Sequence, residues 1–177
     1  MGLASRGCLL AIFLAACVSA ARSDVIAHRF SPNGDCRGLI IDYTEKAKKE
    51  IYWQAYNFTS QPTADALKRA HARGVHVVVI LDYTASRQKG SKAAELAKAG
   101  ITVYLDNKHA IAHDKTRIFD GKVVITGSYN DSASAETRNG ESLFAFNDKD
   151  DVDACIANFK KHLLHSVYLD TKEPEKP

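Results

Sequence analysis

Residues 112–130 read AHDKTRIFDGKVVITGSYN. Two runs rich in apolar and β-branched residues, 112–119 and 122–126, are separated by Asp120-Gly121. Asp-Gly between such runs is a strong hairpin signal, because both residues tolerate the positive φ of a tight reversal. Read as a two-residue turn, it sets Phe119 opposite Lys122, Lys115 opposite Thr126 and His113 opposite Ser128. Side chains alternate along a strand, so His113, Lys115 and Arg117 share one face. Thr126 and Ser128 fall on that face, with Asn130 just beyond. Two apolar strands have no packing need for an imidazole, an ammonium and two hydroxyls on one surface.

Moving toward the N-terminus, residues 101–105 read as a strand. Ser91 can cap a helix over 92–99, which Gly100 closes. Residues 75–81 (VHVVVIL) form an almost unbroken apolar run, which suits a strand covered on both faces. Pro62 fits the first turn of a helix over 63–73 that ends at Gly74. Residues 51–56 read as a strand, and 37–49 carry Leu39, Ile40, Tyr43 and Ala47 near helical spacing. Toward the C-terminus, 142–146 form a short strand. Residues 150–167 place Val152, Ile156, Phe159, Leu163 and Val167 on one helical stripe. Helices alternating with strands predict an α/β fold: a mixed, mostly parallel central sheet with helices on both faces.

The chain has 177 residues, 45% apolar and 25% charged, a balance that argues against long disorder. No repeat or polar linker interrupts residues 31–170, so one domain is expected over 22–170, followed by a frayed tail over 171–177. The start has a signal peptide's order: Arg6, an apolar core over 8–16, then small residues Ser19, Ala20 and Ala21. The apolar run is shorter than the ~20 residues of a membrane span. A cleaved leader over 1–21 makes the product exported, periplasmic or secreted. Leu14-Ala15-Ala16-Cys17 offers an alternative lipoprotein site that anchors the chain through Cys17. The formal charge is +3, and removing the leader takes Arg6 and leaves +2, a bias compatible with a polyanion partner. In an exported chain Cys36 and Cys155 are either disulfide-bonded or two buried thiols. Neither has metal-site spacing.

His113-x-Lys115-xxxx-Asp120, followed by Gly127-Ser128-Tyr129-Asn130, resembles the signature of the phospholipase D superfamily. Asn139-Gly140-Glu141 resembles the Asn-x-Glu found downstream in the same proteins. With one motif copy, the chain is similar to the small single-motif bacterial endonucleases of that superfamily, over roughly residues 27–169.

The resemblance implies a metal-independent phosphodiesterase without a cofactor. His113 attacks phosphorus to form a phosphohistidine, and a second motif histidine protonates the leaving oxygen. Lys115, Ser128 and Asn130 hold the phosphate oxygens, and Glu141 orients His113. This chemistry suits an anionic diester, whose hydrolysis depends on charge neutralisation and positioning. Because the chain carries one copy, the second histidine is expected from a homodimer with the site on its two-fold axis. Asp120, Gly121 and Gly127 are read as structural members of the motif, with Asp120 capping its own turn. Asp131 and Ser132 depart from the endonuclease pattern, and Asp131 sets a negative charge near the phosphate.

Lys108, His109, Arg117 and Arg138 flank the motif and are candidate substrate contacts. Tyr56, Asn57 and Phe58 follow a strand end and are candidates to line the site. Tyr129 is expected in the core. His162 and His165 lie one helical turn apart but have no third ligand nearby in the sequence, so they read as a solvated helix end. The runs at Lys46, Lys48 and Lys49 and at Lys68, Arg69 and Arg73 read as solvated faces. Three functions follow: a non-specific endonuclease on DNA or RNA, a phospholipase D on lipid headgroups, or a non-catalytic nucleic-acid-binding module.

Overall fold

The computed structural model describes residues 25–170; the expected leader over 1–21 and the expected tail over 171–177 lie outside them. In chain order the elements are β1 (Val25–Ser31), α1 (Cys36–Lys46), β2 (Glu50–Ala55), α2 (Gln61–Ala72), β3 (His76–Asp82), α3 (Tyr83–Ser86), α4 (Ala93–Lys98), β4 (Thr102–Asp106), β5 (Lys115–Phe119), β6 (Val123–Gly127), α5 (Ala133–Thr137), β7 (Glu141–Phe146), α6 (Lys149–Leu163) and β8 (Val167–Tyr168). One mixed sheet runs β1-β7-β6-β5-β2-β3-β4-β8, with helices on both faces, as the alternation predicts. Its parallel part is smaller than expected: β2–β3 and β3–β4 are parallel, and the other five neighbouring pairs are antiparallel. Crossover helices end at β4. The three-residue reversal joining β5 to β6 admits antiparallel pairing alone.

Each face has its own core. Ile40 of α1, Leu67 of α2 and Leu96 of α4 pack with Trp53, Val77, Val79 and Val103 on one side. On the other, Val152 and Phe159 of α6 pack with Val78, Ile80, Ile118 and Val124. Strand β3 is covered on both sides, which explains its unbroken apolar run. Ser60 caps α2, its hydroxyl accepting the Thr63 N–H, and Pro62 sits in the first turn. Asp148 caps α6 by accepting the N–H groups of Asp150 and Asp151.

Several expectations are corrected. Strand β1 is absent from the sequence reading, because it is an edge strand exposed at most positions and lacks a buried period. Val167 belongs to β8 rather than to the last helix, which stops at Leu163. Helices α3 and α5, of 4 and 5 residues, are too short to leave a period. Cys36 and Cys155 are free thiols in helices on opposite faces of the sheet, so the disulfide alternative is closed. Burial raises both thiols, Cys36 to about 11.

The central hairpin is also shifted by one. Phe119 pairs with Val123, Arg117 with Ile125 and Thr116 with Thr126, around a loop of three residues rather than two. Asp120 (φ 54°) and Gly121 (φ 62°) both take positive φ, and the Lys122 N–H donates to the Phe119 carbonyl at 3.0 Å. Asp120 does not cap its own turn. Its carboxylate accepts the backbone N–H groups of Lys48, Lys49 and Glu50 at 2.7–3.1 Å, closing the α1–β2 connection across the sheet. The new register puts Thr126 on the face opposite Lys115 and Arg117, where its hydroxyl meets that of Thr116 at 3.4 Å.

Candidate active site

Parallel strands end at the same edge of a sheet, and ligands of α/β folds gather there. Tyr56, Asp82 and Asp106 mark that edge at β2, β3 and β4. Strand β5 runs the other way and enters there, with Lys115 paired to Ala55. His113 stands two residues before Lys115 in the incoming loop and is exposed. The Lys115 Nζ lies 3.2 Å from His113 Nδ1 and donates to the His113 carbonyl oxygen at 2.7 Å. The Tyr56 ring supports both groups: its centroid is 4.8 Å from that of His113 and 5.5 Å from the Lys115 nitrogen. Tyr56 therefore lines the site as expected, whereas Phe58 is buried against Trp53.

Lys115 is only 3% exposed. Desolvation, reinforced by the nearby charge of Arg117, holds its ammonium below the ordinary lysine range, and Glu141 is among the charges pulling it back. A desolvated cation beside an exposed imidazole makes an anion-receiving corner, since its charge is weakly screened.

The loop after β6 carries the remaining motif residues. Gly127 takes φ 151°, and a Cβ there would stand 2.1 Å from the Ser142 carbonyl oxygen, so a glycine is required. This kink ends the regular alternation of β6. Ser128 follows, exposed, its hydroxyl donating to Glu141 Oε2 at 2.6 Å and accepting the Ser142 N–H at 3.0 Å. Asn139 donates to the other Glu141 oxygen at 3.0 Å. Glu141, expected to orient His113, is bonded to Ser128 and Asn139. Asn130 is partly buried, and its Oδ1 lacks a hydrogen-bond partner among the described residues.

Arg117 is not a substrate contact. It is fully buried, pairs with Asp131 at 2.7 Å, donates to the Tyr129 carbonyl and lies over the Trp53 ring. Asp131 consequently brings no free negative charge to the site. Burial pushes its carboxyl up against the pull of Arg117, and Trp53 Nε1 also donates to it. The Asp131 carbonyl accepts from Thr59 and Ser60, tying the loop after β6 to the loop after β2. Tyr129 is in the core, as expected, with its hydroxyl on Glu136. Lys108 and Arg138 are exposed.

Sequence reasoning missed Asp82. Its carboxylate accepts the Ala85 N–H at 2.7 Å and the Ala112 N–H at 2.9 Å, so it pins the segment that carries His113. An acid at the end of an apolar strand was the available signal. The reading of His162 and His165 as a solvated helix end is also corrected. Asp106 and His109 join them, and the ligand atoms of all four residues lie within 4.8 Å of one another. His109, expected at the substrate, has its Nδ1 on Asp106.

A family profile described as "Cardiolipin synthase, PLD-like domain" matches residues 40–163. The chain is 38% identical over 141 residues to a protein named Phospholipase D from Rickettsia typhi, covering 79% of this chain and 69% of that one. It is 39% identical over 130 residues to the protein of that name from Rickettsia conorii, covering 73% and 65%. It thus spans about two thirds of the length of these relatives. Among solved structures, the phospholipase D family member Nuc from Salmonella typhimurium superposes with a TM-score of 0.78 at 30% identity, over 82% of this chain and 97% of that one. NucT from Helicobacter pylori gives 0.72 at 26% identity, over 81% and 100%.

Proposed function

Because this chain belongs to the phospholipase D superfamily, we propose that it is an exported, non-specific endonuclease that cleaves DNA or RNA through a phosphohistidine at His113. The observation that carries the reading is the pairing of an exposed imidazole with a buried ammonium 3.2 Å away, at the edge where the parallel strands end. A ring nitrogen of His113 attacks phosphorus, a P–N bond forms and the bond to the leaving oxygen breaks. A second imidazole protonates that oxygen and then deprotonates the water that releases the phosphate monoester. Lys115, Ser128 and Asn130 hold the non-bridging oxygens, so protein cations and dipoles supply the charge without a metal.

The second imidazole comes from another copy of the chain, in a two-fold dimer with the site on its axis. An exposed His113 and a 59% exposed Ile111 two residues away support that arrangement. Exposed Lys108 and Arg138, the net positive charge and the resemblance of the motif to the single-motif endonucleases support a polymer substrate over a lipid. A phospholipase D activity on headgroups is the second reading, favoured by the name of the Rickettsia relatives.

Supercoiled plasmid, RNA and vesicles of phosphatidylcholine and cardiolipin, incubated in parallel in EDTA, separate the two. The expected result is nicked plasmid and cut RNA with no released headgroup, abolished in His113→Ala. Headgroup release without nicking overturns the nuclease reading. Turnover retained by His113→Ala overturns the assignment of the nucleophile, and full activity in monomer fractions on sedimentation overturns the shared site.

A further inference from the structure

Asp106 ends β4, His109 lies three residues on in the loop to His113, and His162 and His165 sit at the end of α6. The Asp106 side chain is fully buried, and three ring nitrogens close on its Oδ2: His162 Nδ1 at 2.9 Å, His109 Nδ1 at 3.0 Å and His165 Nε2 at 3.2 Å. The rings themselves are in contact, with centroids 4.8–5.4 Å apart. Backbone N–H groups of Lys108 and His109 also donate to Asp106 Oδ1, so its orientation is set independently of the histidines.

Hydrogen bonding alone is a poor account of this cluster. A carboxylate oxygen needs one or two donors, yet here three imidazoles direct nitrogens at the same oxygen from two separate elements. The ligand atoms, all within 4.8 Å of one another, are instead close enough to share one ion. Zinc bound to nitrogen at about 2.0–2.1 Å and to oxygen at about 2.0–2.2 Å sets neighbouring ligand atoms roughly 3.3 Å apart. The three N···O separations lie close to that edge length. An acidic group also stands near the other ring nitrogen: His162 Nε2 lies 3.7 Å from the Asp114 carboxylate, a short approach away from a hydrogen bond. A carboxylate on the far nitrogen of a ligating histidine orients the ring and raises its basicity.

We infer that Asp106, His109, His162 and His165 form a structural site for one divalent transition-metal ion, zinc foremost. Three imidazoles and one carboxylate suit zinc, nickel or copper and disfavour calcium and magnesium, which take oxygen ligands. Four protein ligands close a tetrahedral shell, so the ion holds structure and leaves no position for substrate. His109 and Asp114 bracket the segment that carries His113, so an ion held here fastens that segment to α6. The inference is independent of which diester is cleaved.

The test uses the untagged full chain, purified from zinc-supplemented cells. Elemental analysis is expected to find about one zinc per chain, and X-ray absorption a four-coordinate shell of nitrogen and oxygen without sulfur. Cobalt(II) exchange should give the visible bands of a four-coordinate ion. After stripping with a strong chelator, added zinc should raise the melting temperature by about 5–10 °C in the native chain and in His113→Ala. It should not do so in His109→Ala or His162→Ala. Metal-free protein with no melting shift on zinc addition overturns the site, as does a sulfur-containing shell or an equal shift in the two ligand variants. The composition and spectra of the native chain decide the matter even if a ligand variant fails to fold.

Discussion

Lys115 Nζ lies 3.2 Å from Nδ1 of His113 and donates to that residue's own carbonyl oxygen, so the lysine braces the histidine's backbone as well as facing its ring. It does this while almost wholly desolvated. Replacing Lys115 by Met, close in shape, should lower kcat at least about 100-fold, the usual cost of losing one oxyanion donor. Stability should stay level or rise by about 1 kcal/mol, because a buried charge is removed. Steady-state kinetics and urea melts on the same preparation check both halves; parallel loss of activity and stability would contradict the assignment.

The same lysine sets a pH dependence with opposite signs for activity and stability. Desolvation, then Arg117, lowers its folded pKa below its ordinary value. Activity should therefore fall on the alkaline side below the usual lysine range, as the ammonium is lost. Over the window from that lowered value to about 10.4 the unfolded chain holds the extra proton, so this group's contribution to stability rises with pH. Lys115→Met should remove both trends from pH-rate and pH-melt curves.

Arg117→Met leaves the Asp131 carboxylate buried and unpaired and should cost about 3–5 kcal/mol. Combining it with Asp131→Asn should recover part of that loss. A double-mutant cycle by denaturant unfolding measures the coupling, which should exceed about 1 kcal/mol for residues in direct contact.

Asp120→Ala frees three backbone N–H groups and should destabilise by about 2 kcal/mol, with kcat per folded molecule unchanged. Burial opposes the charge of Asp120, but the N–H groups of Lys49, Lys48 and Glu50 hold its folded pKa below the unfolded value. Its contribution is therefore complete above the unfolded carboxylate value of about 3.9 and is lost as pH falls through the lower folded one. Acid melts should show that dependence in the native chain and lack it in the variant.

Asp82→Ala releases the Ala112 N–H, and with it the segment ahead of His113. Displacement of a catalytic group by about 1 Å can cost 100-fold, so kcat should fall about 10–100-fold with KM little changed. Asp82→Asn, which keeps a carbonyl acceptor, should restore part of the rate. A rise in KM alone would assign Asp82 to substrate binding instead.

The elements read correctly are those with a local cause. Helix α2 has its proline in the first turn and a glycine behind it, β3 has an unbroken apolar run, and α6 has a stripe of apolar residues. Elements without a local cause were missed: β1 is exposed at most positions, and β8 is held by two pairings with β4. The hairpin lies between these cases. Asp-Gly announced a reversal, but the loop holds a third residue and the register is moved by one, while the Asp120 carboxylate reaches residues 48–50 instead of its own turn.

The site divides in the same way. The amino-acid order by itself determined the family and the reversal, and it named His113, Lys115, Ser128, Asn130 and Glu141 as candidates, because a motif confined to residues 113–141 is a local pattern. Only the tertiary structure decided that Arg117 is a buried counter-ion, that Glu141 bonds Ser128, and that Asp106 and His109 meet His162 and His165. Those partners are separated by up to 59 positions and share no period. Their meeting depends on where β4 ends and how α6 lies across the sheet, and that follows from burying both apolar faces at once.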